Sequence, residues 1–100
     1  MALETPEAGG RVVLTRGAVD DSEVTYEVGL HAPGGTWQSK AGIRVDDGEV
    51  TFTAFDGEGD PPDWLVGMAR AFLRTVWVGR QKESPPRWPR RLRRWRAPKP

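Results

Sequence analysis

The sequence contains no cysteine, and its 100 residues include a single histidine, His31. Without cysteine the chain has no disulfide scaffold, no thiolate zinc site and no thiol nucleophile. One imidazole leaves little material for histidine catalysis and excludes a multi-histidine metal site. We therefore expect neither a metal ion nor any other cofactor.

Long hydrophobic runs are also missing. No segment approaches the roughly 18 apolar residues that a membrane span requires, and the acidic N-terminus lacks the basic and apolar regions of a secretory signal. We therefore expect a soluble protein without integral membrane insertion, with the cytoplasm as its default location. The abundance of Arg, Ala, Gly and Pro is typical of a GC-rich bacterial genome.

The net charge of +1 conceals a strong asymmetry along the chain. Residues 1–60 carry 12 acids and 4 bases, whereas residues 61–100 carry 2 acids and 11 bases. The two segments therefore have net charges of −8 and +9. The basic segment predicts either an acidic partner or docking on the acidic half of the same chain.

The chain divides into three predicted parts: a mobile leader over residues 1–10, one domain over 11–82, and a basic tail over 83–100. Alternating apolar and polar residues predict three to four antiparallel strands in a meander, over residues 11–16, 24–31, 37–45 and 50–55. Asp47-Gly48 predicts a tight hairpin between the last two strands.

A long helix follows the strands. Asp60 is a candidate cap, Pro61 suits the first helical position, and the helical pattern extends to about Gln81. Strands followed by one helix predict an α+β domain with the helix packed on one face of the sheet.

The apolar surface of this helix is wider than one sheet can cover. A central stripe is flanked on one side by Trp64 and on the other by Trp77, and Arg70 and Arg74 lie on the polar strip. We therefore expect a second cover for the helix, either another copy of the chain or the tail.

The tail combines tryptophan with arginine. Trp88, Leu92 and Trp95 have the i, i+4, i+7 spacing of one face of a helix, which predicts a possible short helix starting near Pro89. These apolar residues could dock on the domain, with the surrounding arginines balancing its acidic half.

The preferred functional hypothesis is a small non-enzymatic interaction or accessory protein. Its partner, another protein or a second copy in a homodimer, would contact the helix flank and the tail: Trp64, Arg70, Arg74, Trp77, Trp88, Leu92 and Trp95.

The alternative hypothesis is nucleic-acid binding, because guanidinium groups pair with phosphates and indoles stack on bases. The tail would then be a phosphate-contacting arm formed by Arg87, Arg90, Arg91, Arg93, Arg94, Arg96 and Lys99. An anionic membrane surface is a third candidate partner. A β-meander followed by a helix recurs in small DNA- and RNA-binding modules and in many unrelated domains, and no family motif matches residue by residue.

No catalytic constellation is present in the sequence. Glu27 and His31 share the polar face of one strand, but no serine has the context of an activated nucleophile. We therefore expect no deep pocket lined by these two residues, and no catalytic residue. The acidic segment 56–60 begins like a calcium loop, but the rest of that pattern is missing, so we expect it to be a turn.

Overall fold

The computed structural model describes residues 9–83 and 87–96. It consists of a six-stranded antiparallel sheet and one helix, which confirms the predicted α+β class. The elements are β1 (Gly10–Val19), β2 (Glu23–Ala32), β3 (Gly35–Arg44), β4 (Val50–Phe52), β5 (Asp56–Gly57), α1 (Asp63–Lys82) and β6 (Arg91–Arg96).

The first four strands form the predicted meander. Spatial order in the sheet is β4-β3-β2-β1-β6, and the short β5 also pairs with β3. All of these pairings are antiparallel. The structure therefore adds two strands that the sequence pattern did not predict. The two-residue β5 lies in the acidic segment that was predicted to be a turn, and β6 pairs with the outer edge of β1.

The core lies between α1 and one face of the sheet, which we call the covered face. The alternating residues of β2 that were predicted to point inward are buried there, with Tyr26 and Leu30 fully inaccessible. From the helix, Leu65 and Leu73 are also fully inaccessible. Burial on one face only is what period-two alternation in an antiparallel strand produces.

The start of α1 differs from the prediction. The helix begins at Asp63 with Pro62 as its N-cap, and no side chain caps it, so Asp60 does not have the predicted role. The physical reason is that a residue before proline is disfavoured in helical conformation, which keeps Pro61 out of the helix.

The tail also differs from the prediction. Residues 91–96 form strand β6 instead of a short helix. β1 would otherwise expose a row of unpaired N–H and C=O groups, and β6 pairs with that edge from Gly10↔Arg96 to Thr15↔Arg91. A short isolated helix gains no comparable set of partners.

The predicted leader lies largely outside the described residues. Gly10 begins β1, and residues 1–8 of the predicted leader lie outside the described residues. Among the described residues, no helix is long and apolar enough to cross a membrane.

Candidate functional site

The flank of α1 around Trp77 is covered by the loop between β3 and β4. The indole Nε1 of Trp77 donates a hydrogen bond of 2.9 Å to the Val45 carbonyl. The Arg74 guanidinium donates to the carbonyl of Gly48 and lies 5.6 Å from the Trp77 ring centroid. Arg70, on the same helix, donates to a carbonyl of β4 at 2.6 Å. Three of the predicted partner-binding residues are therefore engaged within the chain.

The tail packs against the core and contacts α1 at Arg80 and Phe72. Trp88 is only 7% exposed and belongs to the hydrophobic core, with the Arg80 guanidinium 4.9 Å from its ring centroid. Leu92 packs against the same core. Arg94 extends to the covered face, where its guanidinium lies 4.2 Å from the Phe72 ring centroid. The chain itself thus covers part of the apolar surface of the helix, whereas Trp64 and Val78 remain 41% and 42% exposed.

The other predicted residues have separate locations. Trp64 is 41% exposed, and its ring lies beside Gly10. The exposed Arg87 is ion-paired to Glu83 at 3.4 Å, and Arg90 is exposed just before β6. Lys99 and the side chain of Arg96 lie outside the described residues.

Strand β6 divides the tail residues between the two faces of the sheet. Leu92 and Arg94 contact the covered face, so alternation places Arg91, Arg93 and Trp95 on the opposite face, which we call the open face. Trp95 is 54% exposed there. Because this segment is a strand and not the predicted short helix, two arginines and a tryptophan lie together on one surface.

The pairing register orders the open face into three rows that run across the strands. The first row contains Trp95, Arg11, His31 and Thr36; the second contains Arg93, Val13, Gly29 and Gln38; and the third contains Arg91, Thr15, Glu27 and Lys40. Within a row, neighbouring residues are on strands about 4.8 Å apart.

Val13, Gly29 and Gln38 of the second row form the floor of a concavity that we call the trough. Its centre consists of Val13 and Gly29, whose side chains are small or absent, and its volume is about 420 Å³. Glu27, His31 and Lys40 also line it. The first and third rows, four residues apart along each strand, are separated by about 13 Å.

Glu27 and His31 thus line the same concavity. The trough is an open concavity on the protein surface and not a deep pocket. The hydroxyl of the nearby Ser39 donates a hydrogen bond of 2.9 Å to the Thr53 carbonyl. In the part of the chain that the structure describes, no group of three or more His, Cys, Asp or Glu side chains could hold a metal ion.

Several polar side chains on the open face have their bonding capacity available for a ligand. Within residues 9–83 and 87–96, the side chains of Glu27, Gln38 and Lys40 form no hydrogen bond or ion pair. The same is true of Arg91 and Arg93 within these ranges. This contrasts with the helix flank, where the cationic side chains are bonded to main-chain carbonyls.

His31 forms part of the trough wall. Its Nε2 lies over Gly29, 3.3 Å from the position that a Cβ would occupy there. Its Nδ1 is buried, with no hydrogen-bond partner among the described residues. Burial and, to a smaller extent, the neighbouring Arg11 lower the pKa of His31 below 6.5, so the imidazole is neutral at pH 7.

Sequence reasoning identified the tail half of this surface and missed the other half. Arg11, Gln38 and Lys40 were not singled out, although each lies on the polar face of a predicted strand. The alternation of polar and apolar residues along each strand could have identified these side chains as exposed. Only the pairing register between strands shows which of them are neighbours. Comparisons with protein-family models, with curated proteins and with solved structures found no match to this chain.

Proposed function

We propose that this protein binds single-stranded nucleic acid on the open face of its sheet. The observation that carries the proposal is the alternation of β6, which places Arg91, Arg93 and Trp95 together on an accessible surface beside Arg11. Guanidinium groups bind phosphates, and an exposed indole provides a platform on which a base can stack.

The preferred hypothesis from the sequence, a partner surface on the helix flank, receives less support. Arg70, Arg74 and Trp77 are hydrogen-bonded to carbonyls of residues 45–50, and Trp88 lies in the core, so only Trp64 of the predicted helix flank is left exposed. A homodimer through this flank would have to displace contacts already made. On the open face, the side chains of Arg91 and Arg93 make no hydrogen bond or ion pair within residues 9–83 and 87–96.

The distribution of charge on the open face also favours a polyanion. The half formed by β1 and β6 presents Arg11, Arg91 and Arg93, whereas Glu27 and Asp56 lie toward β3 and β5. A backbone of phosphates would therefore follow the β6 edge, and its bases would point toward the trough.

The test is a fluorescence anisotropy titration with a labelled nine-nucleotide dT oligomer at two or more salt concentrations. If two arginines neutralise two phosphates, log K against log salt concentration should have a slope of about −1.4. Arg93→Gln should reduce that slope by about 0.7, and Trp95→Ala should cost about 1–3 kcal/mol of binding free energy. Arg87→Gln is the matched control, since Arg87 is in the tail but precedes the strand.

Absence of binding at low salt would refute the proposal. Equally tight binding to duplex DNA would contradict the role of Trp95, because bases in a duplex are already stacked on each other. Binding to vesicles containing anionic lipid, without binding to the oligomer, would support a membrane surface as the partner instead.

A further inference from the structure

We infer that the trough accepts one guanine base of the bound strand, recognised by Glu27 and Lys40. This inference rests on the proposed function and adds a base preference to it. The arginines and Trp95 at the β6 edge are indifferent to sequence, since every nucleotide has a phosphate and every base has an aromatic face. Any preference must come from groups that contact base edges, and those groups line the trough.

The shape of the trough suits an unstacked base. Gly29 is in the middle of β2, and the absence of a side chain there opens the surface between Glu27 and His31. Glycine in a strand interior weakens the strand and often marks the close approach of a ligand. The volume of about 420 Å³ is large enough for a purine.

The polar groups at the trough form a pattern of acceptors and donors. Glu27 and Lys40 are direct cross-strand partners, yet the structure shows no ion pair between them. A carboxylate can accept two parallel hydrogen bonds, and an ammonium group donates. The Glu27–Lys40 pair therefore presents two acceptor positions beside one donor.

Guanine is the base whose Watson–Crick edge complements this pattern most fully. Its N1–H and N2–H₂ groups can donate to the Glu27 carboxylate while its O6 accepts from Lys40. Cytosine and adenine can offer the pair one donor and one acceptor. Thymine offers a single N–H group between two carbonyl oxygens. These oxygens would be repelled by the Glu27 carboxylate.

The experiment compares nine-nucleotide oligomers that differ only at the centre, where dG, dA, dC or dT is placed in a dT background. We expect the dG oligomer to bind about tenfold more tightly than the dT oligomer, within the range that bidentate base contacts provide. Glu27→Gln should abolish this ratio, because it weakens binding of the dG oligomer and removes the repulsion between the carboxylate and thymine. Equal affinity for all four oligomers would overturn the inference without touching the proposed function.

Two further variants test whether a change in the dG-to-dT affinity ratio comes from the trough. Glu23→Gln removes the same charge from the same strand, four residues from Glu27, and should leave the ratio unchanged. Gly29→Val narrows the trough with a residue favoured in strands, so it should reduce the ratio in a folded protein. An unchanged ratio in Gly29→Val would show that the base lies elsewhere.

Guanosine monophosphate distinguishes a free nucleotide from a strand. If the trough binds a guanine that is part of a nucleic-acid strand, guanosine monophosphate should bind at least tenfold more weakly than the dG oligomer. The mononucleotide lacks the additional phosphates that would lie along β6. If the mononucleotide binds as tightly, and Glu27→Gln weakens it, guanine recognition holds and the proposed strand binding fails.

Discussion

The hydroxyl of Tyr26 donates a hydrogen bond of 2.7 Å to the main-chain carbonyl of Pro89, linking the centre of β2 to the tail. The same segment receives a second bond, from the Arg16 guanidinium to the Trp88 carbonyl at 3.0 Å. Both contacts join residues more than 60 positions apart. They position the chain immediately before β6, so β6 is held by the core and is not a free arm.

The titration of Tyr26 reports this contact. Burial raises the pKa of Tyr26 to about 12, an effect that the charge of Arg16 partly opposes. The unfolded chain loses this proton near pH 10, so stability should fall as the pH rises from about 10 to about 12. Because Tyr26 is the only tyrosine, absorbance at 295 nm measures it directly. A midpoint near 10 in the folded protein would contradict the buried contact.

Tyr26→Phe removes the hydroxyl and leaves the Pro89 carbonyl without that donor. We expect a loss of about 1 kcal/mol in the free energy of unfolding at neutral pH, measured by urea denaturation. The variant should also lose the fall in stability between pH 10 and pH 12 that tyrosine ionisation causes. Retention of that fall would assign it to another group.

The two tryptophans of the tail should separate stability from binding. Trp88 is 7% exposed within the core, whereas Trp95 is 54% exposed on the open face. Trp88→Ala should destabilise the protein by about 3–5 kcal/mol in urea denaturation. Trp95→Ala should cost less than about 1 kcal/mol of stability. Equal losses from the two variants would contradict the placement of β6.

The β3–β4 loop depends on glycine for two separate reasons at Gly48. Its φ is +74°, and a Cβ there would lie 2.5 Å from Cδ2 of Trp77. Gly59 has a similar φ of +68° but nothing within 4 Å of a Cβ, which makes Gly59→Ala the matched control. Gly59→Ala should cost about 1–2 kcal/mol, and Gly48→Ala should cost about 1–3 kcal/mol more. Thermal denaturation measures the difference, and equal costs would contradict close packing under Trp77.

His31 should titrate below the ordinary histidine range. Burial is the larger cause of its lowered pKa and Arg11 the smaller, so Arg11→Gln should return the pKa only part of the way toward 6.5. Because the unfolded state binds the proton more readily, this group should reduce stability as the pH falls below about 6.5. The imidazole proton shifts in NMR give the midpoint. A folded-state pKa at or above 6.5 would be inconsistent with the buried position.

Much of the fold could be predicted because strand patterning is local. The alternation around Val24, Tyr26 and Val28 identified β2 and its covered face, and all three residues are buried. The boundary of α1 was less accurate, because the cap position depends on how two consecutive prolines restrict the chain. The candidate site was predicted only in its tail half, since a single strand does not show which strand lies beside it.

By itself, therefore, the sequence determined the α+β class, the inward faces of β2 and β3 and the separation of acidic and basic halves. The tertiary structure decided where the tail goes. The spacing of Trp88, Leu92 and Trp95 fits one face of a helix, but β1 has an unpaired edge, and pairing with that edge satisfies the backbone along β6. The same pairing decided the site, because it brings Arg11 and Trp95, 84 positions apart, directly opposite each other. Such proximity follows from register between distant strands, and no local period encodes it.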